Sequence, residues 1–130
     1  MSNLHGIYRA YIACLNSRTL QDLHSFVDAE VIYNNRKVGL SGYIQMLEQN
    51  FAEIPDLGFE IGLLICDNDY VASRLQFNCT PVGSFLGLPV GGRRIVFTEN
   101  VIYQFRGNRI AEVWSVIDKA AIEVQLDGSK

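Results

Sequence analysis

The sequence predicts a single α+β domain in which a long antiparallel sheet curls around helices from the N-terminal part of the chain. Apolar residues recur at helical spacing through the first fifty residues, and from Leu57 onward they follow a strand pattern. Short polar turns divide this second region into hairpins. The chain has 130 residues, the usual size of one domain, and no linker or repeat interrupts residues 1–130.

Two helices are predicted in the first thirty residues. In the first helix, apolar residues recur three or four positions apart and form one stripe, and Asn16-Ser17 ends it. The stripe comprises Leu4, Ile7, Tyr8, Tyr11, Ile12 and Leu15. Thr19 or Ser17 can cap a short second helix. Its apolar residues are Leu20, Leu23, Phe26 and Val27.

A brief strand and a third helix are predicted next. Glu30 to Asn34 has the pattern of a short strand, and the polar residues 35–37 follow it as a turn. Ser41 can cap the third helix, because a serine hydroxyl accepts a hydrogen bond from a free N–H group at a helix start. Pro55 stops this helix. Its apolar stripe comprises Tyr43, Ile44, Leu47 and Phe51.

Four long strands are predicted in the C-terminal part, arranged as two hairpins. Residues 57–66 pair with 70–80 across an Asp-Asn-Asp turn, and residues 93–105 pair with 109–118 across an Arg-Gly-Asn turn. The segment 81–92 between the hairpins contains four glycines and two prolines, which favours a structured loop or a bent strand edge. Three helices followed by four strands indicate the α+β class.

A short helix over about residues 119–126 is expected to close the chain. A long antiparallel sheet cannot stay flat while it buries helices on one face, so we expect it to curl into a cone. The helices would then lie on the concave side, with an apolar cavity between them and the sheet. Cavities of this kind are common ligand sites.

Charge and hydropathy limit the classes of partner. The chain carries 11 Lys and Arg against 14 Asp and Glu, a net charge of −3, and a net negative domain is a poor ligand for nucleic-acid phosphates. The N-terminus lacks the basic and apolar regions of a signal peptide. The longest apolar stretch, residues 61–66, is far short of the roughly 18 residues needed to cross a bilayer. We therefore expect neither a nucleic-acid nor a membrane partner.

The cysteines and histidines are sparse. Cys14, Cys66 and Cys79 are odd in number, lie in apolar contexts and lack the Cys-x-x-Cys spacing. They are interpreted as small buried apolar side chains in a reducing compartment, which predicts a cytoplasmic protein. Neither His5 nor His24 has a second histidine at metal-ligand spacing, so no metal site is predicted.

Asp118 is the first candidate for chemistry. By the two-residue period of a strand it shares one face with Trp114. A carboxylate beside an indole at the inner end of a strand would be partly desolvated, which raises its pKa and suits it to general acid or base catalysis. The alternative is that Asp118 caps the closing helix, since aspartate is a preferred N-cap residue. The two roles do not exclude each other.

Three further polar side chains are candidates for substrate binding. Gln104 on the preceding strand is expected near Trp114, where its amide could hold a substrate carbonyl or face solvent. Tyr11 and Tyr33 are polar groups on otherwise apolar elements and are the other two candidates. Tyrosines in such positions are otherwise core residues whose hydroxyls are satisfied.

A homodimer is also predicted. An open, curved sheet leaves an outer face, on which we expect Val101, Tyr103 and Phe105. These side chains are more apolar than a solvent-facing surface requires, so a second copy of the chain is the expected partner.

The C-terminal half resembles the SnoaL-like polyketide cyclase (ester cyclase) family. The resemblance rests on the run Pro81-Val82-Gly83-Ser84-Phe85-Leu86-Gly87-Leu88-Pro89, on Gly92-Arg93-Arg94-Ile95-Val96-Phe97, and on Arg109-Ile110-Ala111-Glu112-Val113-Trp114 followed by Asp118. It implies the curved α+β cone of the nuclear-transport-factor-two superfamily, also described as a cystatin-like α+β barrel.

The resemblance also implies a chemistry. Cyclases of the family use an aspartate after the tryptophan as acid and base in an intramolecular aldol ring closure, without a metal or organic cofactor, and Asp118 matches that aspartate. The family's pocket histidine falls at Gln104, which can bind or orient a substrate but cannot carry a proton. The implied ligand is a small hydrophobic carbonyl compound, with Trp114, Gln104, Tyr11 and Tyr33 lining the pocket.

Two alternatives remain open at this stage. The first helix around Tyr11 is similar to that of ketosteroid isomerases, but their general-base aspartate would fall near Tyr33, where this sequence has no carboxylate. The loss of the family's histidines instead favours a non-catalytic small-molecule-binding or dimerisation domain of the same fold. Such a domain would bind its ligand without needing Asp118.

Overall fold

The computed structural model of the chain describes residues 3–128. The helices are α1 (Leu4–Ser17), a 3₁₀ helix (Leu20–Ser25), α2 (Gly39–Glu53) and α3 (Lys119–Gly128). The strands are β1 (Val27–Tyr33), β2 (Arg36–Lys37), β3 (Glu60–Asp67), β4 (Tyr70–Cys79), β5 (Ser84–Phe85), β6 (Leu88–Pro89), β7 (Ile95–Arg106) and β8 (Arg109–Ile117).

The predicted α+β class is confirmed, and the sheet adds two details. Six strands form one sheet in the order β2-β1-β8-β7-β4-β3, and all neighbours are antiparallel except β1 and β8, which run parallel. The sheet is therefore mixed, because the N-terminal strand β1 joins the free edge of the C-terminal hairpin. It is curved but does not close into a barrel, and β2 and β3 remain as its two edges. Register shifts in three of the strand pairs mark bulges, which bend a sheet.

Several boundaries differ from the sequence prediction. The second helix is of the 3₁₀ type and ends at Ser25, because Val27 is buried as the first residue of β1 and pairs with Ile110 of β8. Helix α2 begins at Gly39, so Ser41 lies inside its first turn, and no side chain caps this helix. The loop 81–92 contains a small hairpin of β5 and β6.

The core lies between the concave face of the sheet and the helices. Strand β7 shows the alternation clearly: Val101, Tyr103 and Phe105 are 3–4% exposed and point into the core. The prediction that these three residues form the outer face is wrong, because the opposite side of the same strand faces solvent. Ile102 on that side is 48% exposed.

Candidate functional site

An open cavity of about 820 Å³ lies between α2 and the concave face of the sheet. Four phenylalanine rings from four separate segments of the chain form one of its walls: Phe59, Phe77, Phe85 and Phe97. The rings of Phe77 and Phe97 stack with their centroids 4.9 Å apart, and Phe59 meets Phe77 edge-on at 5.4 Å. Together these four rings, here called the phenyl wall, give the cavity a rigid apolar surface.

A smaller cavity of about 50 Å³ forms the inner end of this space. The two cavities share the lining residues Tyr33, Met46, Asn50, Phe59 and Glu99. The inner cavity is also lined by Tyr11, Tyr43 and Tyr103. Phenol hydroxyl groups and the carboxyl group of Glu99 therefore meet where the cavity narrows.

Glu99 supplies the carboxyl group. It lies on β7 between the buried residues Phe97 and Val101, so the two-residue period turns it towards the concave face. Burial disfavours the charged form and raises the pKa of Glu99, while the hydrogen bond that Ser115 donates to its carboxylate lowers this pKa. Desolvation dominates, and the resulting pKa lies above the usual value for glutamate.

Ser115 is held in place from the neighbouring strand. Its backbone N–H donates to the side-chain oxygen of Asn34 over 2.8 Å, and the Asn34 amide donates back to the Ser115 carbonyl over 3.3 Å. Asn34 adopts a left-handed backbone (φ 47°), which asparagine tolerates better than most residues. The amide thus continues the pairing of β1 with β8 beyond the last residue of β1, and it orients the hydroxyl that contacts Glu99.

The tyrosine hydroxyls form two hydrogen-bonded pairs in the core. Tyr11 and Tyr43 lie 2.7 Å apart, oxygen to oxygen, and Tyr8 donates to Tyr103 over 3.2 Å. Burial raises the pKa of all four phenols, that of Tyr8 to about 12, so they stay protonated at neutral pH. In the Tyr11–Tyr43 pair one hydroxyl donates to the other, which leaves the proton of the acceptor free for a third group.

The structure brings together only some of the residues that the sequence predicted for the site. Tyr11 lines the inner cavity and Tyr33 lines both cavities. Trp114 lies on the other face of β8, where it pairs with the exposed Ile102. Gln104 faces the same outer side and pairs with Glu112. The binding roles predicted for Trp114 and Gln104 stay predictions, but neither residue lines the cavities described here.

Asp118 also lies away from these cavities. It is exposed and follows directly after β8, and its carboxylate accepts a hydrogen bond from the backbone N–H of Ala121 over 3.1 Å. This is the geometry of an N-cap, in which the side chain satisfies a free donor in the first turn of α3. The capping alternative therefore describes the contacts of Asp118, and its catalytic role stays a prediction.

The sequence analysis did not identify Glu99 as a site residue, although the strand pattern around it could have done so. Alternate residues of a strand share one face, so Glu99 lies on the same face as Phe97, Val101 and Tyr103. Had that face been chosen as the inner one, the sequence would have predicted a carboxylate among apolar residues.

Within residues 3–128, no group of three or more His, Cys, Asp or Glu side chains is arranged to hold a metal ion. The helices of the same part of the chain are all too short or too polar to span a membrane.

Comparison of the chain with protein families agrees with the observed α+β fold. The family model for SnoaL-like polyketide cyclases matches residues 5–126, which is nearly the whole chain. The chain belongs to the SnoaL-like polyketide cyclase family. No protein of curated function matches it significantly.

Solved structures of similar chains support the same assignment. A SnoaL-like polyketide cyclase from Agrobacterium tumefaciens is 50% identical over 97% of this chain and 99% of that chain, with a TM-score of 0.95. Two more distant structures share the fold of this SnoaL-like chain. IdmH from Streptomyces antibioticus is 20% identical (97% and 99% covered, TM-score 0.84), and TsrD from Streptomyces laurentii is 22% identical (97% of each chain covered, TM-score 0.84).

Proposed function

We propose that this SnoaL-like protein is a cofactor-independent polyketide cyclase that closes a ring in a small hydrophobic carbonyl compound by an intramolecular aldol-type reaction. The observation that carries this proposal is the position of Glu99. Its carboxyl group lies at the inner end of a cavity with an apolar phenyl wall, beside tyrosine hydroxyls, and burial raises its pKa. We assign the acid/base role to Glu99 rather than to Asp118, because Glu99 lines both cavities whereas Asp118 lines neither of them.

The first step is removal of a proton. Ionised Glu99 takes the proton from the carbon next to a substrate carbonyl, and the electron pair of the broken C–H bond forms an enolate. A raised pKa makes the ionised carboxylate a stronger base, which lowers the barrier to removal of the α-hydrogen. The phenyl wall offers an apolar surface to the rest of the substrate.

The enolate oxygen needs a hydrogen-bond donor as it gains charge. The Tyr11–Tyr43 pair supplies one, since the hydroxyl that accepts within the pair can turn its own proton towards the cavity. Removing a single donor of this kind costs roughly 10²–10³ in rate in well-studied enzymes. Because both phenols have raised pKa values, they donate hydrogen bonds without losing their protons.

The second step forms the ring. The enolate carbon attacks a second carbonyl of the same molecule, so one carbon–carbon bond forms and the π bond of that carbonyl breaks. The resulting alkoxide takes back the proton from Glu99, which returns the carboxylate to its ionised form. Atoms and charge balance without an added oxidant, reductant or cofactor.

Proton abstraction can be tested with 2-tetralone, a neutral aromatic ketone, by following exchange of its α-hydrogens for deuterium by NMR. We expect the wild-type protein to accelerate exchange and Glu99→Gln to lose roughly 10²–10⁴ of that rate. Asp118→Asn is the matched control, because it removes a carboxylate outside the cavity, and we expect it to keep the rate within about twofold, by the usual small effect of surface substitutions. Loss of exchange in Asp118→Asn but not in Glu99→Gln would indicate that Asp118, and not Glu99, is the acid/base residue.

If the wild-type protein binds 2-tetralone without accelerating exchange, the catalytic proposal fails and the non-catalytic ligand-binding alternative is favoured. The folded state of each variant is checked by its melting temperature, so that loss of activity is not confused with unfolding. Glu99→Gln keeps the volume of the side chain and can still accept a hydrogen bond from Ser115.

We also propose that the protein is a homodimer formed through the outer face of the sheet. One row of residues crosses four strands in register on that face: Ile65, Ala72, Ile102 and Trp114. Ile65 and Ile102 are 54% and 48% exposed. This apolar row, which replaces the residues first predicted for the interface, supports self-association.

Sedimentation of Ile102→Lys tests the dimer. We expect the wild-type protein to be dimeric at micromolar concentration and Ile102→Lys to be monomeric, since a charge would be buried against the partner. The control is Val124→Lys, at an exposed apolar position of α3, which should leave the dimer intact. A monomeric wild type would contradict the proposal.

A cytoplasmic location is proposed on the basis of the cysteines. Cys14 and Cys79 are buried, Cys66 is partly buried, and none of the three forms a disulfide. Free thiols persist in a reducing compartment. Fractionation of cells that express the protein would test this, and recovery from an oxidising compartment would contradict it.

A further inference from the structure

The open side of the large cavity is lined by two cationic residues of β2, Arg36 and Lys37. In register, Arg36 pairs with Tyr33 and Lys37 pairs with Ile32. Because directly opposed residues of an antiparallel pair share a face, Arg36 lies on the same side as Tyr33, which lines both cavities. Lys37 is the next residue of this short strand, so it shares a face with Ile32 rather than with Tyr33.

The two cations differ in their partners. Lys37 forms a salt bridge of 2.8 Å with Glu30, whose side chain has the same strand parity as Ile32. The side chain of Arg36 makes no hydrogen bond or ion pair with any residue in the described range 3–128, although its backbone belongs to the pairing of β2 with β1. One guanidinium without a hydrogen-bond or ion-pair partner therefore stands at the entrance of a cavity that has the phenyl wall on one side.

Two carboxylates also line the cavity, and neither forms an ion pair with Arg36. Glu53 accepts a hydrogen bond from Gln49 over 3.2 Å, and Glu99 lies at the inner end with Ser115 as its partner. The entrance thus offers a free cation, while the inner end offers a carboxyl group and hydroxyls. This polarity favours a ligand that is anionic at one end only.

The turn before β2 holds Arg36 in this position. Asn34 and Asn35 both have left-handed backbones, with φ values of 47° and 68°. Two consecutive residues of this kind form the tight hairpin turn that fits the twist of antiparallel strands. The same Asn34 side chain is bonded to Ser115 of β8. The cation at the entrance and the hydroxyl that orients Glu99 are therefore connected through one short, well-defined segment.

We propose that Arg36 binds a carboxylate at one end of the substrate, whose flat unsaturated body lies along the phenyl wall. A guanidinium presents two parallel N–H donors that match the two oxygens of a carboxylate. The substrate class is thus an aromatic or polyunsaturated keto acid rather than a neutral ketone. This inference rests on the proposed function, because the reacting carbonyl is placed at Glu99, but the binding of the carboxylate can be measured without any reaction.

Two probes with the same ring system separate the charge from the apolar body. 2-Naphthoate carries a carboxylate, and 2-acetylnaphthalene is its neutral counterpart. We expect the wild-type protein to bind 2-naphthoate more tightly than 2-acetylnaphthalene, by calorimetry or NMR titration. Arg36→Gln should weaken 2-naphthoate binding about 10-fold or more, which is typical for the loss of a charge-assisted hydrogen bond, and should leave 2-acetylnaphthalene unchanged.

Lys37→Gln is the matched control, since it removes a neighbouring cation that Glu30 already pairs. We expect it to change 2-naphthoate binding by less than about twofold, as for exposed ion pairs. Equal losses in both variants would overturn the specific role of Arg36 and indicate a general electrostatic effect. Unchanged binding in Arg36→Gln, or no preference of the wild type for 2-naphthoate, would overturn the inference as well.

The outcome is distinguishable from failure of the proposed function. If hydrogen exchange of 2-tetralone depends on Glu99 while the binding of 2-naphthoate does not depend on Arg36, only the inferred substrate class is wrong. If Arg36 binds 2-naphthoate while the wild type accelerates no exchange, the carboxylate site stands and the cyclase proposal fails.

Discussion

The two faces of the sheet differ in what their apolar residues do. On the concave face, Phe97 and Tyr103 are 3% exposed and enclose the cavity with Glu99. On the convex face, Val96 and Ile102 lie next to them in sequence yet are 52% and 48% exposed. Five of the six inward residues of β7 are apolar, whereas Val96 and Ile102 are the two apolar residues among its six outward positions. Glu99 is the polar exception on the inward side of β7, and it gives the concave face its carboxyl group.

The largest stability difference is expected from neighbouring positions on these two faces. Phe97→Ala should lower the free energy of unfolding by about 3–5 kcal/mol, because it removes a buried ring that stacks on Phe77. Val96→Ala, one residue earlier on the exposed side, should change it by about 0.5 kcal/mol or less. Urea unfolding of both variants gives the comparison, and equal losses would contradict the assignment of faces.

A smaller difference is expected for hydroxyl groups on the two faces. Tyr43→Phe leaves the buried hydroxyl of Tyr11 without its partner and should cost about 1–3 kcal/mol in the free energy of unfolding. Tyr70→Phe is the control on the convex side, where the side chain is 45% exposed, and it should cost about 0.5 kcal/mol or less. If Tyr43→Phe proved neutral in the same urea measurement, the hydrogen-bonded pair would not contribute to stability.

Asp118 provides a test at the end of the convex face. Asp118→Ala should lower stability by about 1 kcal/mol, because it removes the side chain that caps α3. Glu123→Ala, at an exposed position within α3, serves as the control and should be nearly neutral. A loss of proton exchange in Asp118→Ala without a loss of stability would favour a catalytic role over a capping role.

The smallest expected effect is the pH dependence of stability. Since burial raises the pKa of Glu99, the folded state holds a proton that the unfolded chain has already released above the ordinary glutamate value. Wild-type stability therefore decreases as pH rises through this window, whereas Glu99→Gln does not titrate. The melting temperature of Glu99→Gln relative to wild type should rise as pH increases above the ordinary glutamate pKa of about 4.3.

Asp28 is the matched control for this measurement. Hydrogen bonding from the backbone N–H of Glu30 lowers the pKa of Asp28, so its stabilisation is present above the ordinary aspartate pKa and is lost as pH falls. Asp28→Asn should therefore be less stable than wild type at neutral pH and approach it in acid. A constant difference between Glu99→Gln and wild type across the pH range would contradict the raised pKa of Glu99.

The hairpin turns and the last helix were predictable because local chemistry determines them. The predicted turns at 67–69 and 106–108 appear where β3 meets β4 and where β7 meets β8. Asn68, Gly107 and Asn108 adopt left-handed backbones, which these residue types favour. The capping of α3 by Asp118 was one of two readings of the sequence, and it needs only the three following residues.

The site was less predictable because its residues meet only through long-range pairing. Glu99 and Ser115 come from adjacent strands, and Asn34 reaches Ser115 from a strand more than 80 positions earlier in the chain, as the hydrogen bonds between them show. Trp114 and Gln104 were assigned to the inner face, since strand parity groups residues into two sets without saying which set is buried. A sheet with apolar residues on both sides leaves that choice to the helices that cover it.

By itself, the sequence determined the α+β class, the order of helices and strands, and the positions of the tight turns, because helical and strand periodicities and turn residues act over a few neighbours. Tertiary structure alone decided that β1 lies parallel to β8, that Val101 and Tyr103 face inward, and that Glu99 adjoins the tyrosines. These features depend on which side of the sheet the helices bury, a choice made by the burial free energy of the whole domain rather than by any local segment.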